Sequence, residues 1–123
     1  MSKIIEPEDL VPQMRNLAGN PVTIEQVCYP VGPGWHPLIK QLVKDLIDLG
    51  WEGRIEQVKE KFGGLRCSIW HTTLAMEQLI ENAECRSLRI CEECGAKGRT
   101  DGWGGYWLKT LCSKHGAEKE AKR

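Results

Sequence analysis

The chain has 123 residues, with 17 Lys and Arg against 17 Asp and Glu, so its formal net charge is zero. This length predicts one domain with at most a small appended module, and the balanced charge excludes a strongly basic nucleic-acid coat protein and an acidic disordered tail. Hydrophobic residues make up 41% of the chain, but no apolar run reaches the roughly 18 to 20 residues that a membrane-spanning helix needs. The opening residues, MSKIIEPEDLVPQ, are acidic and interrupted by proline, unlike a secretory signal peptide. We therefore expect a cytoplasmic protein without a membrane segment.

Residues 1–34 form the first predicted part, an irregular N-terminal segment with a short helix. Five prolines in this segment interrupt any long element. The pattern predicts a helix over residues 11–18, with Pro12 in its first turn. Residues 22–31 have the residue types of a strand, and the sequence PVGPG that begins at Pro30 predicts a loop.

Residues 35–90 form the second predicted part, an α+β body of helix, β-hairpin and helix. Residues 36–49 carry one apolar stripe at helical spacing, and His36 is the candidate N-cap before Pro37. Gly50 is well placed to end this helix.

The hairpin is predicted over residues 54–70. Gly63-Gly64 would supply the positive φ angles of a tight turn, and the residues after it alternate between apolar and polar. A second helix is predicted over residues 74–89, capped by Thr72 or Thr73.

Six cysteines in so short a chain require an explanation. They are Cys28, Cys67, Cys85, Cys91, Cys94 and Cys112. Because the cytosol is reducing and disulfides are rare there, we expect metal ligands or buried apolar residues. Four of the six fall between residues 85 and 112, which favours a metal site in that region.

The third predicted part, residues 91–123, carries the pattern C-x2-C-x17-C-x2-H. Its members are Cys91, Cys94, Cys112 and His115. Three thiolates and one imidazole are a donor set that suits tetrahedral Zn²⁺, and the spacing is typical of paired zinc half-sites. Because four protein ligands leave no open coordination position, we expect one structural Zn²⁺ and not a catalytic one. Cys85 is an alternative ligand, but we expect it to be an inert residue of the preceding helix.

The segment between the two ligand pairs contains five glycines followed by YWLKTL, and a helix-prone tail follows His115. A ligand-bearing turn, a hairpin and a ligand-bearing helix follow one another in this order in a treble-clef zinc finger. A zinc ribbon, in which both pairs lie on turns, is the alternative. The predicted fold class is therefore α+β, a small helix and β-hairpin layer with a C-terminal treble-clef-like or zinc-ribbon finger.

The sequence offers little for catalysis. We expect His36 to act as a helix cap and His71 to end a strand, and Cys67 with His71 is not a convincing catalytic pair because of strand geometry. No P-loop, G-x-S-x-G or dinucleotide-binding motif occurs. The expectation is a protein that is not an enzyme.

Two kinds of partner are compatible with the finger. Residues 86–123 carry nine Lys or Arg and five Asp or Glu, a formal charge of +4, so the finger could bind nucleic acid through phosphate contacts and base stacking. The candidate surface residues are Arg99, Trp103, Lys109 and Lys114. However, three thiolates around Zn²⁺ contribute about −1, and residues 1–85 carry a formal −4 that would repel phosphate.

Five tryptophans are more than so small a domain can fully bury, and Trp is enriched at protein interfaces. A protein partner is therefore the first hypothesis and nucleic acid the alternative, while the oligomeric state is not readable.

The hairpin sequence QVKEKFGGLR at residues 57–66, Trp35 before the first helix and the four Cys and His positions together resemble a group of small uncharacterised proteins common in bacteriophages and prophages. The resemblance covers about residues 35–115. It implies a phage-encoded accessory protein in a bacterial host cell, for example one that modulates a host enzyme, transcription or a defence system. At position 67 this group is expected to carry an aromatic or aliphatic residue, which argues against an essential role for Cys67.

Overall fold

A computed structural model describes residues 14–122 and has a mixed α+β architecture. Within these residues six short strands form three two-stranded antiparallel sheets, interleaved with four helices. The strands are β1 Met14–Arg15, β2 Pro21–Val22, β3 Ile55–Lys61, β4 Gly64–Ile69, β5 Arg99–Asp101 and β6 Lys109–Leu111. The helices are α1 Ile24–Cys28, α2 His36–Asp48, α3 Leu74–Ser87 and α4 Ser113–Ala121. No helix within residues 14–122 combines the length and the apolar character needed to cross a bilayer.

The helix predicted over residues 11–18 is wrong in its described part, while residues 11–13 lie outside the described residues. Residues 14–15 are strand β1, and the chain then turns back into β2. The Asn16 side chain accepts a hydrogen bond from the Asn20 backbone N–H at 3.0 Å, and Gly19 has φ +90°. Local side-chain hydrogen bonding of this kind stabilises a turn in competition with a helix.

The strand predicted over residues 22–31 is also wrong beyond Val22. Thr23 caps α1 in a reciprocal arrangement: its Oγ1 accepts from the Gln26 N–H at 3.1 Å, and the Gln26 side chain accepts from the Thr23 N–H at 2.8 Å. This capping box satisfies two backbone donors at once. The T-x-x-Q signal was present in the sequence and outweighs the strand-favouring residue types that follow it.

Helix α2 confirms the apolar stripe, but its beginning differs from the prediction. A 3-10 turn over Pro33–Trp35 leads into it, so Trp35 occupies the N-cap position and His36 is the first helical residue. The His36 ring lies 3.1 Å from the Val31 carbonyl oxygen. The helix ends before Gly50, whose φ of +96° suits the predicted stop.

The β3–β4 hairpin is present with a turn one residue earlier than predicted. Lys61 pairs with Gly64, so the turn residues are Phe62 with φ 54° and Gly63 with φ 83°. Two positive φ angles are the geometry that matches the twist of a two-residue hairpin. Gly64 is instead the first residue of β4 and lies close to Leu88, where a Cβ would stand 3.1 Å from Leu88 Cδ2. Helix α3 then begins at the Thr73 cap, as predicted, with Met76 N–H donating to Thr73 Oγ1 at 3.2 Å.

The main core lies where α2 and α3 pack together and α3 packs on β4. Trp35, Leu46 and Leu65 are fully buried at its centre. A second, smaller cluster joins Cys91, Trp103 and Leu111 in the last third of the chain. The division into parts 1–34, 35–90 and 91–123 stays a prediction.

Candidate metal centre

A tight turn presents the first pair of candidate ligands. The Cys91 backbone N–H donates to Ala96 O at 2.7 Å, and the Gly95 N–H donates to Cys91 O at 2.9 Å. Gly95 has φ +82°, a conformation in which glycine is favoured. The turn therefore positions the Cys91 and Cys94 sulfurs close to the second pair of candidate ligands.

The second pair lies where strand β6 passes into helix α4. Cys112 occupies the N-cap position of the helix, and His115 is in its first turn. The His115 backbone N–H points to Cys112 Sγ at 3.5 Å. A sulfur at this position takes the role that a Ser or Asp oxygen has in ordinary capping.

The four predicted ligand atoms converge, all lying within 4.8 Å of one another. Cys94 Sγ is 3.8 Å from Cys112 Sγ, and His115 Nδ1 is 3.5 Å from Cys91 Sγ and 3.2 Å from Cys112 Sγ. Tetrahedral zinc with its usual bond lengths has S–S edges of about 3.8 Å and S–N edges of about 3.6 Å. The cluster therefore has the dimensions to hold one metal ion.

Backbone N–H groups lower the pKa of two of the ligand thiols, Cys91 and Cys112. At Cys112 the His115 N–H is the main cause of a pKa below that of a free thiol. At Cys91 burial raises the pKa, but backbone N–H groups, including that of Cys94, more than offset it and the pKa is lowered. At Cys94 the Ala96 N–H lowers the pKa, but burial and the adjacent sulfurs outweigh it and the pKa is raised. Since the thiolate is the form that binds metal, the lowered pKa values favour ligation at Cys91 and Cys112.

Glu92 is a buried carboxylate beside the first ligand, and it is not among the residues predicted from the sequence. It is 4% exposed, pairs with Lys109 Nζ at 2.7 Å through Oε1 and accepts from the Gly32 N–H at 3.0 Å through Oε2. Both carboxylate oxygens are thus satisfied, as a buried charge requires. Lys109, predicted as part of a binding surface, has its charge engaged by this pair.

The loop before α2 packs directly on the ligand turn. Gly34 N–H donates to Glu92 O at 2.7 Å, and the Trp35 indole N–H donates to Ile90 O at 2.8 Å. A Cβ at Gly34 would lie 2.0 Å from Cys91 O, so only glycine fits this approach. The fully buried Trp35 therefore ties the main core to the metal centre.

The hairpin turn makes a second contact with the same region. Thr110 is fully buried, and its Oγ1 donates to Gly63 O at 2.6 Å while lying 2.6 Å from Thr100 Oγ1. A Cβ at Gly63 would lie 2.8 Å from Thr100 Cγ2. Gly34 in the loop before α2 and Gly63 in the hairpin turn thus allow the finger to approach the rest of the chain closely.

The structure places the other candidate surface residues in different surroundings. Trp103 is 3% exposed, its indole N–H donates to Lys109 O at 3.0 Å, and Gly116 abuts its ring. It is therefore not available for base stacking. Arg99 lies over that ring at 4.4 Å and pairs with Asp101 at 3.3 Å, whereas Lys114 is exposed on α4.

Two aromatic side chains that precede β6 are exposed. Trp107 is 75% exposed and Tyr106 is 98% exposed. Strand β6 begins only at Lys109. The glycine-rich loop before it leaves both rings in solvent.

The other cysteines lie apart from the cluster. Burial raises the pKa of Cys28 to about 11 and that of Cys67 to about 12, so both behave as small apolar residues. Cys85 is exposed on α3 and is not a member of the four-ligand group.

Comparison with protein-family models, with curated proteins and with solved structures finds no match to this chain.

Proposed function

We propose that the chain is a non-enzymatic binding protein, stabilised by one structural Zn²⁺, whose partner is another protein. The observation that carries this proposal is the convergence of Cys91, Cys94, Cys112 and His115, whose ligand atoms lie within 4.8 Å of one another. Four protein donors fill the coordination sphere of Zn²⁺, so no position is left for a reacting water or a substrate. Zinc then contributes folding free energy, which a finger with a core of three buried residues needs.

The order of elements supports a treble-clef-like finger over a zinc ribbon. The first pair lies on a turn, the β5–β6 hairpin follows, and the second pair lies at the beginning of α4. In a ribbon the second pair would also lie on a turn. The soft Cys3His donor set suits Zn²⁺ better than Mg²⁺ or Ca²⁺, which prefer oxygen ligands.

Several contacts support a role without catalysis. The candidate histidines have structural surroundings: the His36 ring contacts Val31 O, and the His71 ring packs edge-on against Trp70 at 5.0 Å. Raised pKa values make Cys28 and Cys67 poor nucleophiles at neutral pH. We further propose that the protein works in the bacterial cytoplasm as a phage-encoded accessory factor. All six cysteines lie among the described residues and none forms a disulfide, which is compatible with a reducing compartment.

The partner is proposed to be a protein because two of the finger's candidate phosphate-binding cations are engaged in ion pairs. Lys109 is tied to Glu92, and Arg99 is tied to Asp101. A nucleic-acid role for the finger is the second candidate, favoured by the formal +4 charge of residues 86–123.

Two measurements test the proposal. Zinc content of the purified full chain should be one ion per chain, and removal by a strong chelator should lower the thermal midpoint. Tagged, zinc-loaded protein is then incubated with bacterial lysate with and without nuclease. Near-stoichiometric recovery of a protein that survives nuclease, and that is lost with chelated protein, is the expected result. Recovery of nucleic acid, or of a protein that is lost on nuclease treatment, would favour the second candidate instead.

A further inference from the structure

Five large apolar side chains are exposed around the β3–β4 turn and the loop before β6. They are Phe62, Leu88, Tyr106, Trp107 and Leu108, here called the aromatic surface, with exposed fractions of 63%, 41%, 98%, 75% and 44%. Single exposed apolar residues are common, but a contiguous exposed group is typical of an interaction site.

Backbone contacts place the segments that carry these side chains next to one another. A Cβ at Gly63 would lie 3.4 Å from Leu108 Cβ, so the residue after Phe62 touches the residue after Trp107. A Cβ at Gly64 would lie 3.1 Å from Leu88 Cδ2. The hairpin turn therefore lies between the finger loop and the end of α3, the two segments that carry the other members of the aromatic surface.

Cations border this surface. Lys61 Nζ lies 5.5 Å from the centre of the Phe62 ring, and exposed Arg89 directly follows Leu88. Lys97 lies close to Arg89, because the Gly98 N–H donates to Arg89 O at 2.8 Å. Among the described residues none of these three cations is in an ion pair, since the recorded pairs are Arg99–Asp101 and Lys109–Glu92.

We propose that the aromatic surface docks a short acidic, amphipathic segment of a partner protein. This rests on the protein-binding function proposed above and specifies its surface and the chemistry of its target. Apolar side chains of the segment would pack on Phe62 and Trp107, while its carboxylates would face the cations Lys61, Arg89 and Lys97. Aromatic anchors with a charged rim are typical of protein interfaces, where the rim charges raise the association rate.

The composition of the surface favours such a segment over single-stranded nucleic acid. Two of the five side chains are leucines, which offer no flat face on which a base can stack. The aromatic ring that lies against Arg99 belongs to Trp103, which is buried. The free cations lie at the border of the surface, where they contact a partner's acidic rim more readily than a continuous phosphate chain.

The test selects ligands from displayed random 16-residue peptides on the immobilised zinc-loaded full chain. Enriched peptides should be net acidic with at least two large apolar residues. The best of them, made synthetically and measured by fluorescence anisotropy, should bind the double variant Phe62→Asn, Trp107→Ser at least tenfold more weakly. Asn tolerates the positive φ of position 62, so the turn is retained. Equal zinc content and an equal thermal midpoint verify that the variant is folded.

Leu74→Ser is the matched control, because Leu74 is 73% exposed and lies about 21 Å along α3 from Leu88. It should bind the peptide within twofold of the unchanged chain. Arg89→Glu with Lys97→Glu should weaken binding and reduce its dependence on salt.

Three results would overturn the inference. The selection could enrich no peptide, or the double variant could bind the enriched peptides as tightly as the unchanged chain does. In the third, a 20-nucleotide oligothymidine would outcompete every peptide for the same surface. Nuclease-resistant capture of a lysate protein that the double variant retains would leave the proposed function intact and reject only this surface.

Discussion

Replacement of Gly34 by Ala tests the claim that the loop before α2 is part of the metal centre. The new Cβ would lie 2.0 Å from Cys91 O, 2.5 Å from Gly95 N and 2.8 Å from Glu92 C, whereas real Cβ contacts stay above 3.0 Å. All three neighbours are backbone atoms of the ligand turn, so the loop must move away by about 1 Å.

The expected cost follows from what that movement disrupts. Overpacking of a well-packed site costs about 1–3 kcal/mol. The Gly34–Glu92 hydrogen bond at 2.7 Å and the Trp35–Ile90 hydrogen bond at 2.8 Å would also weaken, each contributing about 1 kcal/mol. We therefore expect a loss of about 3 kcal/mol in the free energy of unfolding. Because Cys91 belongs to the displaced turn, we also expect zinc affinity to fall about tenfold.

Urea unfolding of the zinc-loaded chain, followed by tryptophan fluorescence, measures the first effect, and competition with a chromophoric chelator measures the second. Gly19→Ala is the matched control. It introduces the same methyl group at φ +90° with nothing within 4 Å, and should cost about 1–2 kcal/mol through backbone strain alone with unchanged zinc affinity. A Gly34→Ala protein within about 0.5 kcal/mol of the unchanged chain, with normal zinc affinity, would refute the proposed packing.

Three further predictions concern the ligands, the buried carboxylate and a buried thiol. Cys94→Ser leaves an incomplete tetrahedron, so zinc content by atomic emission should fall well below one per chain, while Cys85→Ser should retain full zinc; equal zinc in both variants would contradict the ligand assignment. Glu92→Gln removes the partner of Lys109 and should lower the free energy of unfolding by about 1–3 kcal/mol, whereas Glu93→Gln on the exposed side of the same turn should leave the urea midpoint unchanged. The pKa of Cys67 is raised by burial to about 12, so its contribution to stability is complete below the unfolded thiol pKa near 9 and is lost as pH rises toward 12. The urea midpoint should therefore decrease as the pH is raised from 8 to 10.5, and the midpoint of the Cys67→Ala variant should decrease less. Identical pH dependence of the two midpoints would rule out this thiol as the cause.

Secondary structure can be predicted from the sequence where one short segment contains the whole sequence signal. Helix α2 follows from its apolar stripe and from Gly50, and α3 begins at the predicted Thr73 cap, because these signals act within one or two helical turns. The β1–β2 turn and α1 were missed for a related reason. Their sequence signals, Asn16 and the T-x-x-Q box, act through side-chain hydrogen bonds to nearby backbone, which compete with residue propensity and outweigh it here.

The burial of the aromatic residues could not be predicted from the neighbouring sequence. Trp103 lies between two glycines and Trp107 between Tyr106 and Leu108 in the same loop, yet one is 3% exposed and the other 75%. The difference arises because Gly116 of α4 leaves space for the Trp103 ring, whereas nothing in the neighbouring sequence determines which of the two tryptophans reaches that helix.

The chemistry of the candidate centre follows from the amino-acid sequence alone: two closely spaced pairs of soft donors predict one tetrahedral ion wherever the chain folds so as to bring them together. The surroundings of that centre depend on contacts between distant segments. Gly34, Glu92 and the Gly63–Thr110 contact join the finger to the main core. These contacts depend on segments far apart in the chain, and their partners are backbone atoms, which carry no residue-specific signal. The exposed aromatic surface depends on the same docking, since it exists only where the hairpin turn meets the finger loop.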